Sequence, residues 1–148
     1  MAPKRPPNGG IIIVDGDQSY QAALIADLEK NGFEVFFAET VNRLFSLMET
    51  KFDKFKPTLV VVDTILPQMS GFEVVRRFVD KYGDKKIPVL MSSKYKADED
   101  TIEVHSAGAK GLLDKPFTAQ TFLQALEQER TKKMKEMIGD MIFDINYE

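Results

Sequence analysis

Three acids and a lysine stand where apolar runs of this chain stop, and their types suit phosphate chemistry. Leu59-Val60-Val61-Val62 ends in Asp63, and Ile11-Ile12-Ile13-Val14 ends in Asp15-Gly16-Asp17. Lys115 closes the short run from Gly111 to Asp114, and Ser93 follows Val89-Leu90-Met91-Ser92. Taken alone, Asp63 reads equally well as a cap on the turn before a helix, a common role for Asp. Gathered carboxylates repel: at an effective dielectric of about 20, two unit charges about 5 Å apart cost roughly 3 kcal/mol. Such a cluster needs a cation or a raised pKa. Oxygen ligands alone favour a hard ion, and Mg²⁺ takes only about one or two protein carboxylates, with waters and phosphate oxygens completing its octahedron. An ammonium from Lys115 and a hydroxyl from Ser93 on the same edge suit a phosphoryl group, because a carboxylate can attack phosphorus while cations neutralise its oxygens. The spacing points to phosphoryl transfer to Asp63.

The elements that must hold these residues alternate. Four consecutive apolar residues make a strand buried on both faces, as parallel strands are. The first such strand is followed by a helix opened by Ser19, faced with Ala22, Leu24, Ile25 and Leu28 and stopped by Asn31-Gly32. Phe33 to Ala38 reads as a short strand, about Val41 to Glu49 as a helix, and Lys51 to Pro57 as a polar connection. Phe72, Val74, Val75, Phe78 and Val79 mark a helix ending near Tyr82-Gly83. A polar helix spans about Asp98 to Ala107, and Thr118 caps one bearing Phe122, Leu123 and Leu126. Five strands alternating with five helices, joined by right-handed crossovers, predict an α/β doubly wound (βα)5 parallel sheet. The flavodoxin-like order 2-1-3-4-5 fits five strands. It makes strands one and three neighbours, so Asp15, Asp17 and Asp63 should share one crevice at the carboxyl edge, where ligands bind in such sheets.

At 148 residues and 43% hydrophobic content the chain suits one core. A net charge of −3 and no clustered basic face argue against direct nucleic-acid contact. No stretch approaches the roughly 20 apolar residues of a membrane helix. With no cysteine there is neither a disulfide framework nor a thiolate metal site, which fits a cytoplasmic protein. Residues 1–9, carrying Lys4, Arg5 and three prolines, read as a disordered lead-in without the apolar core of a signal peptide. The domain is expected over 10–130. Residues 131–148, with Met134, Met137, Ile138, Met141, Ile142 and Ile145 at helical spacing, form a helical extension or tail that could meet a homodimer partner, meet another domain or fold back.

In combination the motifs Ile-Ile-Ile-Val-Asp, Val-Val-Val-Asp-Thr-Ile-Leu-Pro-Gln-Met-Ser-Gly-Phe-Glu-Val, Pro-Val-Leu-Met-Ser-Ser and Gly-Leu-Leu-Asp-Lys-Pro-Phe resemble the receiver domain of two-component response regulators, over roughly Ile11 to Glu129. The resemblance implies that Asp63 accepts phosphate from the histidine of a sensor kinase or phosphotransfer protein, or from a small phosphodonor. It implies a Mg²⁺ site at Asp15, Asp63 and the backbone carbonyl of Ile65. It further implies that Ser93 and Lys115 bind the phosphoryl group, that Lys115-Pro116 is cis, and that a downstream protein target or fused output domain reads the state. The chain would at most catalyse its own phosphorylation and dephosphorylation. Two positions depart from the family pattern. Gly16 replaces the second acid, with Asp17 one residue late but reachable through the flexible glycine. Leu112 replaces the aromatic residue that changes rotamer on activation. These departures motivate an alternative, a pseudo-receiver that binds partners without phosphorylation. His105 reads as an ordinary helix-face residue, and the charged run Lys94 to Asp100 as a solvated helix entry with a partner-contact role.

Overall fold

The computed structural model describes residues 9–55 and 57–147. The lead-in expected over 1–9 therefore lies outside the described residues except for Gly9, which already pairs in the first strand. The elements alternate as β1 (Gly9–Val14), α1 (Gln21–Lys30), β2 (Phe33–Ala38), α2 (Val41–Phe55), β3 (Pro57–Asp63), α3 (Gly71–Tyr82), β4 (Val89–Ser93), α4 (Thr101–Ala107), β5 (Leu112–Asp114) and α5 (Ala119–Tyr147).

The five strands form one parallel sheet in the order β2-β1-β3-β4-β5, the doubly wound arrangement expected from the alternation. Side chains alternate across the pleat, so each apolar run feeds two cores. Ile12, Val14, Val60, Val62 and Met91 pack with Leu44, Leu47, Val74 and Phe78 on the side of α2 and α3. Ile11, Ile13, Val61 and Leu90 pack with Leu24, Leu28 and Phe122 on the side of α1 and α5. Full burial of each branched side chain contributes about 1.5–3 kcal/mol. This double use explains why the central runs contain no polar residue until they reach the sheet edge. The register pairs Val14 with Val62, Asp63 with Ser92, and Ser93 with Asp114, so the strands end nearly level.

Local chemistry moves several boundaries. Ser19 does not cap α1: its backbone N–H donates to Asp17 Oδ1, and α1 begins after Tyr20 without a side-chain cap. The polar helix is shorter than its sequence pattern, because the Asp100 carboxylate accepts from the N–H groups of Ile102 and Glu103 and sets the start of α4. Residues Lys96–Asp98 form a separate 3₁₀ turn. Conversely, α2 continues through much of the expected polar connection. Asn31 and Gly32, the latter at φ +85°, end α1 as expected. The last helix, α5, runs without a break from Ala119 across residue 130. Met134, Met137 and Ile138 are exposed on it, while the side chains of Met141, Ile142 and Ile145 lie outside the described residues. No helix among the described residues is long and apolar enough to cross a membrane.

Candidate functional site

The ends of β1, β3 and β5 bring Asp15, Asp63 and Lys115 into contact. Lys115 Nζ lies 2.6 Å from Asp63 Oδ2 and 2.7 Å from Asp15 Oδ2, so one ammonium bridges two carboxylates. All three are buried. Asp15 is the first residue past the apolar run of β1 and Asp63 the first past that of β3, while Lys115 follows exposed Asp114 at the end of β5 and turns back into the crevice. Lys115 is followed by the cis Lys115-Pro116 bond that the resemblance implies, and by buried Phe117.

The remaining carboxylate oxygens are also satisfied. Asp63 Oδ1 accepts the Ile65 N–H at 3.0 Å, and Asp15 Oδ1 accepts the Asp17 N–H at 2.9 Å. The Tyr20 hydroxyl donates to Asp15 Oδ2, and Lys115 Nζ sits 5.5 Å from the Tyr20 ring centre. Burial pushes the Asp63 carboxyl above its ordinary pKa and Asp15 adds to the rise, against the opposing hydrogen bonds from Lys115 and Ile65. Burial alone would lower the Lys115 ammonium, but its bonds to Asp15 and Asp63 hold it above the usual lysine value. The Tyr20 phenol is raised by burial and then by the Asp15 carboxylate, so it stays protonated and donates.

A cavity of about 450 Å³ opens over this triad, walled by Asp17, Ile65, Lys94 and Tyr95. Asp17 reaches it, but its carboxylate is engaged: Oδ1 accepts the Ser19 N–H and Oδ2 lies 3.2 Å from Lys94 Nζ. These contacts, the Ser19 backbone first, hold its carboxyl down at about 2. Ile65 and Tyr95 stand at the mouth, 64% and 58% exposed, leaving the interior to the charged groups. Ser93 is fully buried at the end of β4, yet its hydroxyl does not line this cavity: Oγ donates to Glu99 Oε1 at 2.9 Å and accepts the Tyr95 N–H.

The oxygen donors fit a hard divalent ion in reduced form. Asp15 and Asp63 are adjacent carboxylates, and Mg²⁺ takes about one or two. Among the described residues no three acids, histidines or cysteines group as metal ligands, the Asp17 carboxylate in the same cavity being turned to Ser19 and Lys94. Tyr20, Lys94 and Glu99 escaped the sequence reading. The run Lys94 to Asp100 is exposed except for half-buried Glu99, which bonds Ser93, and Lys94 stands at the cavity wall. No motif marks them, because each acts through the path of a loop. His105 is exposed on α4, apart from the cavity.

The sequence profile of the response regulator receiver domain matches residues 11–127. The chemotaxis protein CheY of Listeria monocytogenes serovar 1/2a is 33% identical over 119 residues, covering 80% of this chain and 95% of that protein. CheY of Bacillus subtilis is 34% identical over 119 residues, covering 80% and 94%. Among solved structures, CheY4 of Vibrio cholerae superposes with a TM-score of 0.69 at 28% identity, covering 81% of this chain and 97% of its own.

Proposed function

This chain belongs to the response regulator receiver domain family, and from that premise we propose that it is a phosphoacceptor whose Asp63 takes a phosphoryl group from the histidine of a kinase or phosphotransfer protein. The supporting observation is the Lys115 ammonium held between Asp63 and Asp15 at the floor of an open cavity. An Asp63 carboxylate oxygen attacks phosphorus, the Oδ–P bond forms, and the P–N bond to the donor imidazole breaks with its electron pair leaving on nitrogen. Lys115, already placed by two carboxylates, then pairs with a phosphoryl oxygen without reorganising. Asp15, Asp63 and the Ile65 carbonyl would hold a Mg²⁺ ion, which supplies neutralising charge to the phosphoryl oxygens. Partner proteins, whether a separate target or a fused output domain, read the resulting state.

A second reading, an interaction module that works without phosphate, draws on Gly16 and Leu112 and on the Lys115 ammonium already pairing with both acids. Acetyl phosphate with Mg²⁺ separates the two. The intact protein should gain the mass of one phosphoryl group, and Asp63→Asn should abolish the gain. No gain at high Mg²⁺ favours the second reading.

Gly16 gives an independent check. A Cβ there would meet only Pro67, at 3.5 Å, an ordinary contact. Gly16→Asp therefore fits and supplies a further hard oxygen beside Asp15. It should tighten Mg²⁺ binding by about tenfold, the equivalent of roughly 1.4 kcal/mol. Calorimetric titration of both proteins measures it, and equal affinities would mean that the missing acid does not limit the site.

A further inference from the structure

Outside the cavity, one carboxylate ties together the two strand ends that flank the phosphoacceptor. Glu99 Oε1 accepts from Ser93 Oγ at 2.9 Å and from Thr64 Oγ1 at 3.0 Å. Thr64 directly follows Asp63, and Ser93 ends β4; both are buried, while Glu99 is half-buried. Glu99 closes the 3₁₀ turn Lys96–Asp98 and precedes Asp100, the cap of α4.

A serine hydroxyl carries a single proton to donate. Ser93 spends it on Glu99, and its oxygen accepts the Tyr95 N–H. The same proton cannot also reach a phosphoryl oxygen on Asp63. The pleat agrees: Asp63 pairs in register with Ser92, so Ser93 starts from the opposite face of the sheet, that of Met91.

We propose that Glu99 is a positioning residue that holds the Ser93 hydroxyl off the phosphoryl pocket, so that a phosphoryl group on Asp63 and the Glu99 carboxylate compete for one proton. This rests on the phosphoacceptor reading above. When the phosphoryl group wins, Glu99 loses one of its two hydroxyl donors, and the turn leading into α4 is released from β4. The state of Asp63 thereby reaches the start of α4 through a hydrogen-bond exchange.

The test uses the full chain with Mg²⁺ and beryllofluoride, a phosphoryl mimic, its binding followed by ¹⁹F NMR. Removing the competitor with Glu99→Ala should tighten beryllofluoride binding about ten- to a hundredfold, the usual worth of one hydrogen bond to a charged group. Glu99→Gln, which keeps an acceptor without the charge, should fall between. Ser93→Ala should weaken binding, and adding Glu99→Ala to Ser93→Ala should change nothing further, because the proton contested is gone. A merely structural role for Glu99 would shift affinity equally with or without Ser93. That result, or unchanged or weaker binding in Glu99→Ala, overturns the proposal while leaving the phosphoacceptor reading intact. Failure of every protein, wild type included, to bind beryllofluoride overturns both.

Discussion

Replacing Lys115 by methionine should destabilise the fold by about 3–5 kcal/mol in the absence of divalent ions, the usual consequence of removing one partner from a buried ion pair. The side chains are 3% exposed for Lys115, 0% for Asp15 and 10% for Asp63, so water from the cavity makes up only part of the lost ammonium. Methionine fills much of the same volume, which leaves charge rather than a cavity as the cause. Tyr20 and two backbone N–H groups would still donate to the acids, but none of them carries a positive charge. Mg²⁺ should recover part of the loss in Lys115→Met and add less to the wild type, whose acids are already paired. Phosphoryl uptake at Asp63 should fall by about 10²-fold, since a donor aimed at developing charge is worth that much. Urea unfolding with and without Mg²⁺, together with the rate of mass gain from acetyl phosphate, measures both effects. A variant as stable as the wild type would mean that the two acids do not need the lysine.

The outcome is tied to what the sequence exposed and what it concealed. Ile11 to Val14 and Leu59 to Val62 announce doubly buried strands because no polar residue can occupy either face. Asp15, Asp63 and Lys115 were legible for the converse reason: each is the first charged residue past its core run or ends a short strand, and a level sheet edge brings such residues together. Ser93 was legible as a strand-end hydroxyl, but its present partner was not, since Glu99 lies six residues on in a charged run. Tyr20 and Lys94 were concealed in the same way, because their contacts depend on how the β1–α1 and β4–α4 loops fold back. The end of α2 was misjudged for a different reason. Lys51 to Pro57 reads as a polar connection, yet lysine is a good helix former and the Thr50 hydroxyl just before it bonds the Ser46 carbonyl within a helix that continues to Phe55.

Gly71→Ala, although it adds a single methyl group, should cost about 3 kcal/mol or more. A Cβ built at Gly71 would lie 1.9 Å from the Asp63 carbonyl oxygen and 2.8 Å from Thr64 Cα. The obstruction is backbone, which no side-chain rotamer can relieve. Nor can α3 simply move away. The Gly71 N–H donates to the Thr64 carbonyl at 2.9 Å, the Ser70 hydroxyl caps the Phe72 N–H, and Phe72, Val74, Val75 and Phe78 are buried in the core. The strain must therefore appear either in the packing of α3 or in the position of Asp63. The first outcome lowers stability. The second also lowers phosphoryl uptake, because Lys115 and Asp63 meet at 2.6 Å and little displacement is tolerated. Gly139→Ala is the control, since a Cβ there meets nothing within 4 Å on the exposed side of α5. It should gain about 0.5–1 kcal/mol from helix propensity alone. Urea midpoints of the two variants should thus move in opposite directions, and a Gly71→Ala protein with a wild-type midpoint would mean that the phosphoacceptor strand and α3 are not held as closely as this contact requires.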